Sequence, residues 1–210
     1  MKRLFVVLGA LGALMLAMGP ASAVPGDVSK YTLFGTMVKA TSPTDSHDQV
    51  ISDDTTGDVF GGASRTIHAT VHSLDGLISL DYYFEGRSCA GGSPRIQLAV
   101  DTDGDEVSNG NAFGYIGASP NFNTCPTGSW RHEDLTDGQL RWDLTQFGGP
   151  FYNTWDMVET FFSLQRAEQV VRGTIVDDSC GFAPTSCGRV YFDTLKIGNL
   201  TLENWSDTTR

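Results

Sequence analysis

The sequence predicts an all-β protein: an antiparallel β-sandwich of jelly-roll-like layout with one short α-helix. Two patterns lead there. Many short runs are bounded by glycine-centred turns, and several of them alternate apolar with polar residues at the period-two rhythm of a half-buried strand. Against these stands a single stretch with helical periodicity. At 210 residues the chain is long enough for one domain with a sizeable core.

Taken in order, the runs expected as strands are Tyr31–Ala40, Thr66–Ser73, Leu77–Glu85, Arg95–Val100, Asn111–Ile116, Leu140–Leu144, Val170–Val176, Arg189–Leu195 and Leu200–Glu203. Turn sequences such as Asp75-Gly76, Ala90-Gly91-Gly92, Asp137-Gly138 and Gly148-Gly149-Pro150 separate many of them. Alternation assigns faces: Ile67, Ala69 and Val71 point inward, and so do Ile78, Leu80, Tyr82 and Phe84. Asp75-Gly76 between these two runs reads as a hairpin turn. The helix is expected over Trp155–Ser163, with Asn153 or Thr154 as N-cap, Asp156 near the positive end, and Trp155, Val158, Phe161 and Phe162 as the buried stripe.

Residues 1–23 read as a secretory signal, with Lys2-Arg3, an apolar run over 4–18 and the small-residue site Ala21-Ser22-Ala23. The run is shorter than the ~20 apolar residues that span a bilayer, so the expected domain is 24–210 with no membrane span. The net charge of −11 becomes more acidic once Lys2 and Arg3 are removed. Such a surface repels nucleic acid and anionic lipid and suits an extracellular chain. Cys89, Cys125, Cys180 and Cys187 in an exported chain are expected to form two disulfides. Of the three connectivities, Cys89–Cys125 with Cys180–Cys187 keeps both bridges local.

The run from Cys89 to Leu98 into Asp101-Thr102-Asp103-Gly104-Asp105, with the closing Arg189-Val190-Tyr191-Phe192-Asp193-Thr194-Leu195-Lys196-Ile197-Gly198, resembles secreted bacterial jelly-roll domains. It is similar in layout to carbohydrate-binding modules and concanavalin-like sandwiches, over roughly Leu77 to Leu202. The resemblance implies the sandwich fold.

Asp101, Asp103 and Asp105 place carboxylates at every second position between two strand-like runs, the spacing of an oxygen cage for a hard cation. Glu106 and Ala112 occupy the positions where a helix-loop-helix calcium site needs Gly and Glu. The strand-like flanks also exclude that motif. A β-loop Ca²⁺ site therefore stays open, with Asn109 or Asn111 as amide ligand, beside the plainer reading of a solvated acidic turn. His68 and His72 share a strand face, but four residues of strand span roughly 13 Å, too far for one ion. Asp177-Asp178 before Cys180 reads as a polar loop entry that could add metal or glycan ligands.

Sugar binding calls for flat rings beside polar groups, since a ring face matches the C–H face of a pyranose. Trp130, Phe151, Tyr152 and Trp205 sit in loop-like sequence and are the candidates, whereas Trp142 and Trp155 belong to the core. Catalysis would need facing carboxylates, for which Glu85, Glu133, Asp143, Asp156 and Glu159 are available without the tight spacing of jelly-roll glycosidases. His132 beside Glu133 and Asp134 lacks a nucleophile motif. The expectation is a secreted, non-catalytic domain for extracellular or cell-envelope carbohydrate, with Ca²⁺ as candidate structural cofactor. The alternatives are a glycan-cleaving enzyme (glycosidase or lyase) and a structural envelope or matrix domain.

Overall fold

The computed structural model describes residues 31–41, 48–53, 60–120, 122–182 and 187–201; the segment expected as a signal, residues 1–23, and Trp205 lie outside them. Chain order gives β1 (Thr32–Gly35), β2 (Met37–Thr41), β3 (Asp48–Asp53), β4 (Gly61–Thr70), β5 (Ile78–Glu85), β6 (Arg95–Asp101), β7 (Gly110–Tyr115), β8 (Arg131–Asp134), β9 (Trp142–Asp143), α1 (Trp155–Ser163), β10 (Gln169–Asp177), α2 (Ser179–Phe182) and β11 (Arg189–Ile197). These strands form two antiparallel sheets, one ordered β1-β4-β10-β6-β7-β9 and the other β2-β3-β11-β5-β8. The core lies between them and contains Ile67, Val71, Ile78, Leu80, Tyr82, Phe84, Ile96, Leu98, Phe192 and Ile197. The alternation read from β4 and β5 is therefore the core pattern. Gly173 in β10 keeps the layers close, because a Cβ there would sit 2.7 Å from both Ile197 Cγ2 and Ile67 Cδ1.

Several expectations are corrected. The run Tyr31–Ala40 is not one strand: Gly35 adopts φ +62°, Thr36 N–H donates to Phe60 O at 3.0 Å, and the chain crosses from one sheet to the other. Asp75-Gly76 does not close a hairpin, because β4 and β5 belong to different sheets and a 3-10 turn, His72–Leu74, carries the chain across. That turn removes His72 from the strand, so His68 and His72 do not share a face. The expected run Leu140–Leu144 contracts to the two residues of β9. Of the run expected over Leu200–Glu203, residues 202 and 203 lie outside the described residues, and Thr201 pairs with Lys196 in an isolated bridge.

Two irregularities escape a period-two reading. Between Asp193 and Lys196 the register of β11 shifts against β5, with Thr194 at φ +46°. Val190 and Phe192 are buried before the shift, and Leu195 and Ile197 after it, so one extra residue flips the inward parity. In β10 a shift between Val170 and Arg172 does the same for Val170 and Ile175.

Helix α1 follows the expected design. Thr154 Oγ1 accepts from Met157 N–H, Asp156 lies in the first turn, and Trp155, Val158 and Phe162 are fully buried while Phe161 is half-buried. Trp155 packs on Trp142 at a ring separation of 5.0 Å, and the Trp142 indole N–H donates to Leu135 O at 2.8 Å. Both tryptophans belong to the core. The Cys89–Cys125 and Cys180–Cys187 disulfides are present, and among the described residues no helix is long and apolar enough to cross a membrane.

Candidate functional site

On the outer face of the five-stranded sheet, register aligns a row of apolar and aromatic residues across the strands. Val38 pairs with Ile51, Ile51 with Tyr191, and Tyr191 with Tyr83. Arg131 pairs with buried Tyr82, so Trp130, one residue earlier, comes to the level of Tyr83. Tyr83 stands 5.6 Å from Trp130 and 6.0 Å from Tyr191, ring centre to ring centre. Trp130 and Tyr83 are half-buried; Tyr191 is more enclosed.

Polar rows flank the rings on both sides. On one side Asp53, Arg189 and Glu85 are register partners. Arg189 Nε contacts Asp53 Oδ2 at 2.8 Å and its Nη1 reaches Glu85 Oε2 at 3.5 Å. The Tyr191 hydroxyl donates to the same Glu85 oxygen at 3.1 Å. Burial first, and then this bond to Glu85, raise the Tyr191 pKa and keep the phenol a donor. On the other side Asp193, Asp81 and His132 are aligned. His132 Nδ1 lies 2.8 Å from Asp81 Oδ1, and Thr194 Oγ1 bonds the other Asp81 oxygen. The surface thus offers ring faces framed by hydrogen-bonding groups.

The sequence candidates are divided between two places. Trp130 belongs to this sheet face. Phe151 and Tyr152 belong to a second cluster, with Tyr115 and Phe122. Tyr115 stacks on Phe122 at 4.7 Å and on Phe151 at 5.7 Å, and Phe151 meets Tyr152 edge-on at 4.7 Å. The Tyr152 hydroxyl donates to Pro120 O at 3.1 Å and the Tyr115 hydroxyl to Asp143 Oδ2 at 3.1 Å. Phe151 and Tyr152 remain 37% and 42% exposed, yet their rings close over Phe122. Tyr83 could have been found in the sequence, since it falls out of phase with inward Ile78, Leu80, Tyr82 and Phe84. Tyr191 could not, because Val190-Tyr191-Phe192 is continuously apolar.

In the loop after β6, carboxylate oxygens of Asp101, Asp103 and Asp105 lie within 4.8 Å of one another. Asp101 is fully buried and accepts from the N–H groups of Asp103, Gly104 and Glu106 at 2.9, 2.7 and 2.8 Å. These bonds, Gly104's first, lower the Asp101 pKa. Asn109 Oδ1 faces Thr102, accepting from its N–H and hydroxyl at 2.6 and 2.9 Å, while its Nδ2 donates to Asp103 at 3.4 Å. Asn111 turns to Gln146, to which its backbone N–H donates at 2.7 Å. The three aspartates thus form the donor set of this loop, hard oxygens of the kind Ca²⁺ takes, though fewer than the six to eight it collects.

Several other carboxylates are engaged elsewhere. Glu133 accepts from Arg141 at 2.6 Å and from the Tyr82 hydroxyl at 3.1 Å, and Glu159 contacts His72 at 3.1 Å. Asp177, read from sequence as a polar loop entry, is fully buried against Arg87 at 2.5 Å, and Asp178 holds Arg95 through two 2.7 Å bonds. Asp177 ties the end of β10 to the loop after β5, and Asp178, just past that end, holds β6 through Arg95.

No protein-family model matches the chain, and no curated protein matches it. Among solved structures it is similar to the C-terminal family 22 carbohydrate-binding module of Clostridium thermocellum Xyn10B, at 14% identity over 86% of this chain and 92% of that one, with a TM-score of 0.36.

Proposed function

We propose that this protein is a secreted, non-catalytic domain that binds extracellular or cell-envelope carbohydrate on the outer face of its five-stranded sheet. The observation that carries the reading is the Tyr191–Tyr83–Trp130 row framed on both sides by carboxylates and other hydrogen-bonding groups. Ring faces take up the C–H faces of a sugar, and carboxylate oxygens accept hydroxyl protons. The two disulfides suit an oxidising compartment.

Retention of the purified protein on a panel of insoluble polysaccharides tests the reading. Stacking contacts are individually modest, so binding should be micromolar to millimolar, about −8 to −4 kcal/mol. Trp130→Ala should abolish retention, and Tyr152→Ala should leave it intact because that ring packs over Phe122. Absence of retention on the whole panel, or unchanged binding by Trp130→Ala, would defeat the proposal. Release of reducing ends or unsaturated products would establish the enzyme instead.

The Asp101 loop is proposed as a structural Ca²⁺ site in the same domain. Asp101, Asp103 and Asp105 would hold the ion, and its charge would offset the mutual repulsion of those carboxylates. Asn109, facing Thr102, would brace the loop through Asp103.

A further inference from the structure

The ring row is bordered by carboxylates whose neighbouring cations are already engaged, and from this we infer that the ligand is a neutral glycan and that acidic polysaccharides are rejected. This inference rests on the binding reading given above and deepens it. Asp53, Glu85, Asp81 and Asp193 surround the rings on this face. Arg189, the guanidinium beside them, is held on one side by Asp53 and on the other by Glu85. Its Nε and Nη1 already face protein carboxylates, so a uronate or sulfate would have to compete with Asp53 and Glu85 for the forked pair of bonds that such recognition uses. Lys196 lies farther along the same strand, with Nζ reaching Gly76 O at 3.4 Å. His132 is bonded to Asp81. Arg131 occupies the register position of inward Tyr82.

A carboxylate carried by a sugar seated on Tyr83 or Trp130 would therefore meet like charge from both borders. The same oxygens suit a neutral sugar, because an ionised carboxylate is an acceptor only and each hydroxyl brings a donor. Asp81 keeps such capacity: one oxygen accepts from the Thr194 hydroxyl and the other contacts His132, which takes up two of a carboxylate's roughly four acceptor positions. Discrimination of this kind works mainly by repelling the wrong ligand, and salt should weaken it over the ~10 Å screening length at 0.1 M.

The test compares pairs of polymers that share a backbone and differ chiefly in charge: hydroxyethyl with carboxymethyl cellulose, methyl-esterified with free polygalacturonate, and soluble glycol chitin with its deacetylated, cationic form. Retardation in native affinity gels is read at low salt and at roughly 0.5 M. We expect the neutral member of at least one pair to bind at least ~10-fold more tightly than its carboxylated counterpart, a gap equal to one factor of ten in Kd. The gap should narrow in high salt. In the Asp81→Asn/Glu85→Gln variant, binding of the carboxylated polymer should rise, a gain that unfolding cannot produce. Equal binding of neutral and carboxylated members would overturn the charge inference and leave the carbohydrate reading standing. So would a preference for the carboxylated polymer, or for the cationic form at low salt alone. No retardation by any polymer would defeat both.

Discussion

Asp177→Ala should destabilise the domain by about 3–5 kcal/mol, the usual cost of breaking a buried ion pair from one side. The side chains of Arg87 and Asp177 are both fully shielded from water and meet at 2.5 Å. Asp177 also accepts from the Ser179 hydroxyl at 3.1 Å and the Ser93 hydroxyl at 3.4 Å, and Arg87 donates to Ser179 as well. Alanine removes the charge that compensates a guanidinium stacked over Phe84 at 5.2 Å, and two hydroxyls lose an acceptor worth about 1 kcal/mol each. Much of that loss is the desolvation of Arg87, so the pair itself is not a large net stabiliser. Urea unfolding with the disulfides intact measures the effect, and calorimetry should show a Tm lowered by roughly 6–20 °C for a domain of this size. The singles Arg87→Met and Asp177→Leu with their double form a cycle, and the double should be less damaging than Asp177→Leu alone. A loss below about 1 kcal/mol for Asp177→Ala, or a double variant as damaging as Arg87→Met and Asp177→Leu added together, would mean that the buried charges do not depend on each other.

Asp101 makes the stability of its loop depend on acid. Its folded pKa lies below the ordinary 3.8, so the contribution is fully present above that value and is lost as pH falls through the lower folded value. The amide resonances of Gly104 and Glu106 should titrate together with a midpoint under 3.8; a midpoint at or above it would contradict the hydrogen bonding described. If Ca²⁺ binds the same loop, millimolar calcium should raise Tm relative to EDTA, and Asp103→Ala should erase the difference. Matching melting curves in calcium and EDTA would return the loop to a self-bonded turn. Gly173→Ala should cost roughly 1–3 kcal/mol, since its methyl group would press on Ile67 and Ile197 between the sheets. A neutral result in chemical denaturation would mean that the layers can part to make room.

Local chemistry, legible in the chain alone, determined a good deal. Period-two alternation in β4 and β5 is a property of neighbouring residues, so it revealed which side chains face the core whatever the pairing. Capping and the apolar stripe made α1 readable with its boundaries, and cysteine spacing made the local disulfide pairing the expected one. Partner choice, by contrast, is set by packing between distant segments. Asp75-Gly76 has the composition of a hairpin, but the hydrophobic face of β5 is buried against the opposite sheet. β8 is not legible in the sequence because its four residues, Arg131–Asp134, are all polar or charged and it pairs at a sheet edge. The bulges in β10 and β11 reversed parity partway along a strand, which alternation cannot anticipate. Ring groupings followed the same division. Trp130, Phe151 and Tyr152 look equivalent in sequence, yet only register across β11, β5 and β8 could place Trp130 beside Tyr83 and Tyr191, and only the fold of the loops after β7 and β9 could set Phe151 and Tyr152 against Phe122. Sequence determines what each residue prefers locally; which distant residues share a surface is decided by strand order, because that is where the two sheets bury their apolar faces together.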